Sequence, residues 1–262
     1  MTHDRRLDEG TKAHYRDAAY YDHAYKRRKE DVLFYAQMAE LFGGPVLELG
    51  VGTGRVARAV AERGIDLHGV DLMPSMLARA KENLAKAGPD VARRVTLAQG
   101  DLRSYRTPKK FPLVISPFNV FMHLYTREDV EQALETVRAH LAKDGRFVFD
   151  VLLPWASALA RDPTKVYRCG FVKVPDGPRC RYDESFRYDA VTQVQMVSMI
   201  FTPIGKPSET TVQRLAHRQF FPAELEALLH YNGFAIEGRH GDFLGGPLTS
   251  ESDSQVIVAK LR

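Results

Sequence analysis

Three glycines alternate within VLELGVGTGRVARAV, residues 46–60, at Gly50, Gly52 and Gly54, and an acid, Glu48, stands two residues ahead of them. An apolar run leads in and an amphipathic pattern leads out, so the glycines are expected to join a strand to a helix. Glycine lets the backbone approach a ligand closely, and the helix start beyond offers unpaired N–H groups. That much suits any nucleotide. A dinucleotide fingerprint, however, wants glycine three residues after Gly52, where Arg55 stands, and a P-loop ending in Gly-Lys-Ser/Thr is missing. Glu48 would repel a pyrophosphate, yet it can accept hydrogen bonds from an ammonium group, directly or through water. A nucleoside with a cationic tail is the ligand this combination asks for.

The elements that must carry this loop are an alternation of strands and helices from residue 45 to about 151, the pattern of βαβ units on a parallel sheet. Strands are expected over 46–49, 67–70, 95–97, 113–116 and 146–150, with helices over 55–63, 74–86 and 127–142. Gly64, Gly88 and Gly145 follow those helices, where a left-handed cap is usual. Right-handed crossovers gather the strand C-termini along one edge, so the loops that matter begin at Gly50, Asp71, Asp101 and Pro117. A tyrosine-rich segment, HYRDAAYYDHAY, precedes this core and leads into a helix, EDVLFYAQMAELF. From about 166 to 221 the texture becomes strand-like alternation with turns at PDGP, DAVT and IGKPS, which predicts a small inserted antiparallel sheet. A helix over 223–231 and strands over 235–238 and 256–260 complete the chain. The expected division is a helical cap over 1–44, a core over 45–154 and 222–262, and an insertion over 155–221 that serves as a substrate lid or a dimer-forming layer.

VLELGVGTG resembles the first motif of the class I S-adenosylmethionine-dependent methyltransferases, and three later features match that family in order. The resemblance implies an α/β, Rossmann-like sheet of parallel strands with a reversed last strand, which the ending from Gly233 to Leu261 is similar to. It implies S-adenosyl-L-methionine as cofactor. In GVDLMPSML, Asp71 would accept the ribose hydroxyls while Leu72 and Met76 pack on the adenine. In QGDL, Asp101 would take the adenine amino group with Leu102 beside it, and Pro117 opens the fourth loop, ISPFNVFMHL, where the family's chain passes the methyl group.

That fourth loop departs from the Asn-Pro-Pro-Tyr type of amino-directed nucleic-acid methyltransferases, reading Ser116-Pro117-Phe118-Asn119, which argues against base flipping. His123 titrates near neutrality and is the candidate general base, or else a helix-start or packing histidine. Tyr20, Tyr21 and Tyr25 either close over the cofactor, Tyr21 offering a hydroxyl or π-face to the sulfonium, or are core tyrosines of one helix. The layout is similar to glycine and sugar-amine N-methyltransferases, so the expected activity is methyl transfer to a small-molecule acceptor, with an amine favoured. Protein or RNA methylation and a non-catalytic cofactor-binding module are the alternatives.

Bulk composition constrains the partners. The 37 basic and 33 acidic residues are interspersed and net only +4, which makes a nucleic-acid partner unexpected, and the cluster from Lys26 to Lys29 is followed at once by Glu30 and Asp31. Cys169 and Cys180 have no zinc-type spacing, so no metal and no disulfide framework are expected. The start, MTHDRRLDEG, lacks the apolar stretch of a signal peptide, and a cytoplasmic enzyme, with a possible homodimer through the inserted sheet, is the expectation.

Overall fold

The computed structural model describes residues 5–175 and 177–262; residues 1–4 of the expected cap and Asp176 of the PDGP turn lie outside them. The chain begins with α1 (Arg5–Lys12), α2 (Ala18–Tyr25) and α3 (Glu30–Phe42). It continues through β1 (Val46–Leu49), α4 (Arg55–Glu62), β2 (Leu67–Asp71), α5 (Pro74–Ala87), α6 (Pro89–Ala92), β3 (Val95–Gln99) and β4 (Phe111–Ser116). Next come α7 (Arg127–His140), β5 (Leu141–Leu152), α8 (Ala156–Leu159), β6 (Tyr167–Lys173), β7 (Arg179–Asp189) and β8 (Val194–Pro203). The last elements are β9 (Thr211–Arg218), α9 (Pro222–Tyr231), β10 (Phe234–His240) and β11 (Ser254–Leu261).

Two compact units result. One comprises residues 28–153 and 220–262 and is built on a seven-stranded sheet of order β10-β11-β5-β4-β1-β2-β3. The strands β5, β4, β1, β2 and β3 run parallel, and β11 is reversed, antiparallel to both β5 and β10. All four residues of β1 are buried, as a central strand covered on both faces must be. Its side chains alternate: Leu47 and Leu49 join the core under α7 and α9, while Val46 joins the core under α3 and α4. By the same period Glu48 shares the face of Val46. On β5, Phe147, Phe149 and Val151 face α7 and α9, which leaves Asp150 on the face of Val148, toward α3. Helix starts are explicit in the sequence: Pro74 and Pro222 open α5 and α9, and Thr126 with Asp129 forms a capping box for α7.

The expected helix over 127–142 ends earlier, at His140, because Leu141 pairs with Phe111 and starts the strand. The ladder resumes at Leu113 and Arg146, and the left-handed residue in the intervening bend is Asp144 (φ 61), not the expected Gly145.

The other unit comprises the segment up to Arg27 together with residues 154–219. Its four strands form an antiparallel meander, β6-β7-β8-β9, with β7 and β8 in continuous register from Cys180 opposite Pro203 to Asp189 opposite Val194. The expected DAVT turn is held by Asp189, whose Oδ1 accepts the N–H groups of Val191 (2.9 Å) and Thr192 (3.0 Å). Tyr20 packs with Cys180, Met199 and Phe201, and Gly10 lies so close to β9 that a Cβ there would sit 2.6 Å from Ala216 Cβ. The expected cap over 1–44 is thus divided. The segment bearing α1 and α2 goes with the antiparallel sheet, whereas α3 buries Phe34, Tyr35, Ala36 and Ala39 in the core of the seven-stranded unit. No helix among the described residues is long and apolar enough to cross a membrane.

Candidate active site

The C-terminal edge of the parallel strands gathers most of the residues singled out above. At β1 the chain turns through Gly50 (φ 82), Gly52 (φ 55) and Gly54 (φ 81) into α4. Gly50 N–H donates to Val70 O at 2.8 Å, fixing the loop to the neighbouring strand. A Cβ on Gly50 would lie 2.5 Å from Val120 Cγ2, so both its backbone conformation and its surroundings require glycine. Gly52 N–H donates to Asp71 Oδ2 at 2.8 Å, while Asp71 Oδ1 accepts Met73 N–H at 2.8 Å. Asp71 therefore ties the glycine loop to the end of β2. Burial pushes its carboxyl up, and the N–H groups of Met73 and Gly52 oppose that shift. Met76 is buried with its Cε beneath Gly52, and Leu72 is exposed.

Glu48 is buried at 2% exposure, and its Oε2 has no hydrogen-bond partner among the described residues. Burial pushes its carboxyl well above the usual glutamate range; the positive charge of Arg55 works against that and the negative charge of Asp71 adds to it. A buried acid with an open acceptor, next to a second acid and a glycine cradle, calls for a cation with N–H donors. The ammonium of an amino-acid tail fits that demand, and the residues present fit S-adenosylmethionine. Thr53 Oγ1, buried in the same loop, is a further open polar atom that sequence reasoning did not flag.

Asp101 has a partner within its own loop. Arg103 clamps it, with Nη2 2.6 Å from Oδ2, Nε 3.0 Å from Oδ1, and backbone N–H 2.9 Å from Oδ1. Burial would raise the carboxyl, but the Arg103 hydrogen bonds outweigh it and hold it below the usual aspartate range. Arg103 also bridges to Asp129 at 2.6 Å, which links this loop to the capping box of α7. The acid expected to face an adenine amino group thus also holds a neighbouring guanidinium. Leu102 packs against the core under α7 and α9.

After β4, Pro117 is buried, and Phe118 (φ 61) and Asn119 (φ 63) are consecutive non-glycine residues in the left-handed region. Asp150 makes this possible. Its Oδ1 accepts Phe118 N–H at 2.7 Å, its Oδ2 accepts Asn119 N–H at 3.2 Å, and the Tyr35 hydroxyl donates to Oδ1 at 2.6 Å. Burial pushes Asp150 up to about 6, with the hydrogen bonds from Tyr35 and Phe118 pulling the other way. The Phe118 ring lies under two guanidinium groups, Arg28 at 4.6 Å and Arg55 at 5.1 Å, and Arg55 is paired with buried Asp31 at 2.7 Å. Sequence reasoning used Arg55 only to exclude a dinucleotide and gave Asp150, Tyr35 and Asp31 no part in the site. The available signal was an acid closing the apolar strand RFVFD.

His123 ends a 3-10 turn over Val120–His123; it is half-buried, with Nδ1 3.4 Å from the Tyr125 hydroxyl. Tyr21 is in the other unit, buried among aromatic rings, 5.9 Å from His14, 5.8 Å from Tyr15 and 4.8 Å from Tyr25 between centroids.

The doubly wound sheet with a reversed strand and this glycine-and-acid edge define a class I methyltransferase fold. Comparison with known proteins agrees. A methyltransferase domain model matches residues 46–145. An uncharacterised methyltransferase of Bacillus cytotoxicus is 31% identical over 175 residues, which cover 66% of this chain and 74% of that protein. A dTDP-3-amino-3,4,6-trideoxy-alpha-D-glucopyranose N,N-dimethyltransferase of Streptomyces venezuelae is 32% identical over 110 residues, only 42% of either chain. The CcbJ methyltransferase of Streptomyces caelestis superposes with a TM-score of 0.78 at 26% identity, covering 90% of this chain and 98% of that one. The chain belongs to the S-adenosylmethionine-dependent methyltransferases. S-adenosylmethionine is the cofactor of this family.

Proposed function

We propose that this protein methylates a nitrogen of a small-molecule acceptor, an amino sugar being the leading class. The observation that carries the reading is the open, buried carboxylate oxygen of Glu48 beside the glycine loop, which sets the amino-acid end of the cofactor next to the loop after β4. The acceptor class is drawn from the two sugar-amine N,N-dimethyltransferases of Streptomyces venezuelae and Streptomyces fradiae, which are 32% and 28% identical over parts of the chain.

In this reading Glu48 holds the ammonium group, the backbone of residues 50–54 lines the amino-acid chain, and Asp71 holds the ribose. Met76 and Leu72 border the adenine with Leu102 beside it, and Pro117 opens the loop that passes the methyl group. S-adenosylmethionine supplies a sulfonium-activated methyl group that an uncharged nitrogen can accept. An amine acceptor must first lose its ammonium proton, and His123 is assigned to receive it. The remaining task is alignment and exclusion of water, which suits a loop held by buried hydrogen bonds. Both cysteines are free thiols, in keeping with a reducing cytoplasm.

Incubation with S-adenosylmethionine and pooled amino sugars and small amines, read by mass spectrometry for a gain of one or two methyl groups, tests the activity. Methylation of hydroxyl-only acceptors with amines untouched would overturn the nitrogen assignment. Cofactor binding with no turnover across the pool would favour a sensing module.

A further inference from the structure

An acid at a strand end can read a base only through lone pairs that are still open, so the bonds Asp101 already makes decide what its loop can recognise. Its Oδ1 accepts both the backbone N–H of Arg103 at 2.9 Å and Nε at 3.0 Å. Its Oδ2 accepts Nη2 at 2.6 Å and shares Nε at 3.1 Å. What the pair still offers is an acceptor position at Oδ2, directly beside a guanidinium. Each Nη nitrogen of Arg103 carries a second N–H beyond its bond to Asp101 or Asp129. With side chains 41% and 27% exposed, Arg103 and Asp101 are both within reach of a ligand.

The clamp is built into the fold. Arg103 Nη1 reaches Asp129 Oδ1 at 2.6 Å, and the Arg103 carbonyl accepts the Thr136 hydroxyl at 2.9 Å. Thr136, fully buried, accepts Arg106 Nη1 at 2.6 Å in turn, and buried His140 Nε2 accepts Thr107 N–H at 3.0 Å. Asp129, Thr136 and His140 are spaced by seven and four residues along one face of α7, so a single helix fastens the loop from 103 to 107. An arginine that merely met a neighbouring acid at the surface would not have its main chain fixed as well.

A bare carboxylate only accepts: it takes the amino group at C6 of adenine and repels a carbonyl in the same place. A carboxylate with a guanidinium fastened to it presents an acceptor and donors side by side. We infer that Arg103 is a specificity-determining residue of the cofactor site, and that through it the site admits a purine bearing either an amino group or a carbonyl at C6. The inference rests on the methyltransferase reading above, in which the loop after β3 borders the adenine.

S-adenosylhomocysteine and S-inosylhomocysteine, which differ only along that edge of the purine, test this without knowledge of the acceptor. Calorimetry on the full chain gives the ratio of the two affinities, expected to lie within about fivefold of unity in the unaltered protein. Arg103→Met leaves the carboxylate without its donors and should favour S-adenosylhomocysteine by more than about tenfold, the effect of setting a carbonyl against a charged acceptor. Arg103→Lys, whose single ammonium lacks the fork that spans both oxygens, should fall between the two. Asp101→Asn combined with Arg103→Met should bring the ratio back within about fivefold, because an amide can turn either its donor or its acceptor to the base. A loop merely loosened by the loss of Arg103 would weaken both ligands alike and gain nothing from the second change. A preference above about fivefold in the unaltered protein, or an unmoved ratio in Arg103→Met, would overturn the inference. If the unaltered protein bound neither ligand, the methyltransferase reading itself would fall.

Discussion

The loops after β1 and β4 reach the same backbone region by opposite means. After β1 every second residue is glycine, and left-handed angles at Gly50, Gly52 and Gly54 follow from the absence of a Cβ. After β4 the left-handed residues are Phe118 and Asn119, which resist that region, and the conformation is imposed by Asp150 from β5, the neighbouring strand that follows α7. The first loop carries its geometry in its own composition; the second borrows it from a buried carboxylate and from Tyr35 on α3. One exposes bare backbone, and the other presents side chains, which glycine cannot do.

The sharpest way to break this contrast is Gly50→Ala. The added Cβ would collide with Val120 at 2.5 Å in a residue at φ 82, so S-adenosylhomocysteine binding should fall by more than about a hundredfold with about 2–4 kcal/mol of stability. Gly43→Ala is the control: its φ is 80 and ψ 173 but nothing lies within 4 Å, and about 1–3 kcal/mol is the expected loss in urea unfolding, with binding unchanged. Equal effects at the two glycines would show that strain alone, and not the fit against Val120, fixes the first loop.

For the second loop, Asp150→Ala strands three buried donors and should cost about 2–4 kcal/mol in urea unfolding, with Asp150→Asn costing less. A loss below about 1 kcal/mol would mean the loop holds itself. The titration carries a sign as well. Because Asp150 is raised to about 6 in the folded protein, its contribution is complete below the unfolded aspartate value near ~4 and is lost as pH rises through about 6. The unaltered protein should therefore lose stability relative to Asp150→Asn across that window, and a slope of the opposite sign would refute the burial argument.

Glu48→Gln should weaken S-adenosylhomocysteine about tenfold, since it keeps the hydrogen-bond acceptor but removes the charge opposite the ammonium. Glu48 is pushed above the usual glutamate range by burial, so affinity in the unaltered protein should rise with pH as it ionises, and the Gln variant should show a flat profile. The smallest effect belongs to Asp101→Asn. With its carboxylate already bound by Arg103, the loss should stay within about fivefold, and a larger one would restore Asp101 to the ligand despite its partner.

What the sequence revealed follows the same divide. Glu48, the glycines and Asp71 are local signals, because a strand, a turn and a helix start succeed one another within a few residues. The helix from Glu30 to Phe42 was legible for the same reason. Asp150 was visible as the end of a strand, but its meaning depends on Tyr35, 115 residues earlier, and on backbone angles at Phe118 that no residue-type rule predicts. The Arg103 clamp on Asp101 lay only two residues away in QGDLRS, and was missed because an acid after a strand reads first as a ligand or cap. The end of α7 depended on the pairing of Leu141 with Phe111, a contact set by the sheet and not by helix periodicity.

The Phe118 and Asn119 amides have a consequence on the timescale of solvent exchange. Loop amides usually trade their hydrogens for deuterium almost at once, yet these two are bonded to a carboxylate that is 1% exposed and itself anchored to a helix. They should exchange with the slow kinetics of the central strands. A loop that opens only when the sheet edge opens keeps one shape, so whatever meets it meets a wall already cast.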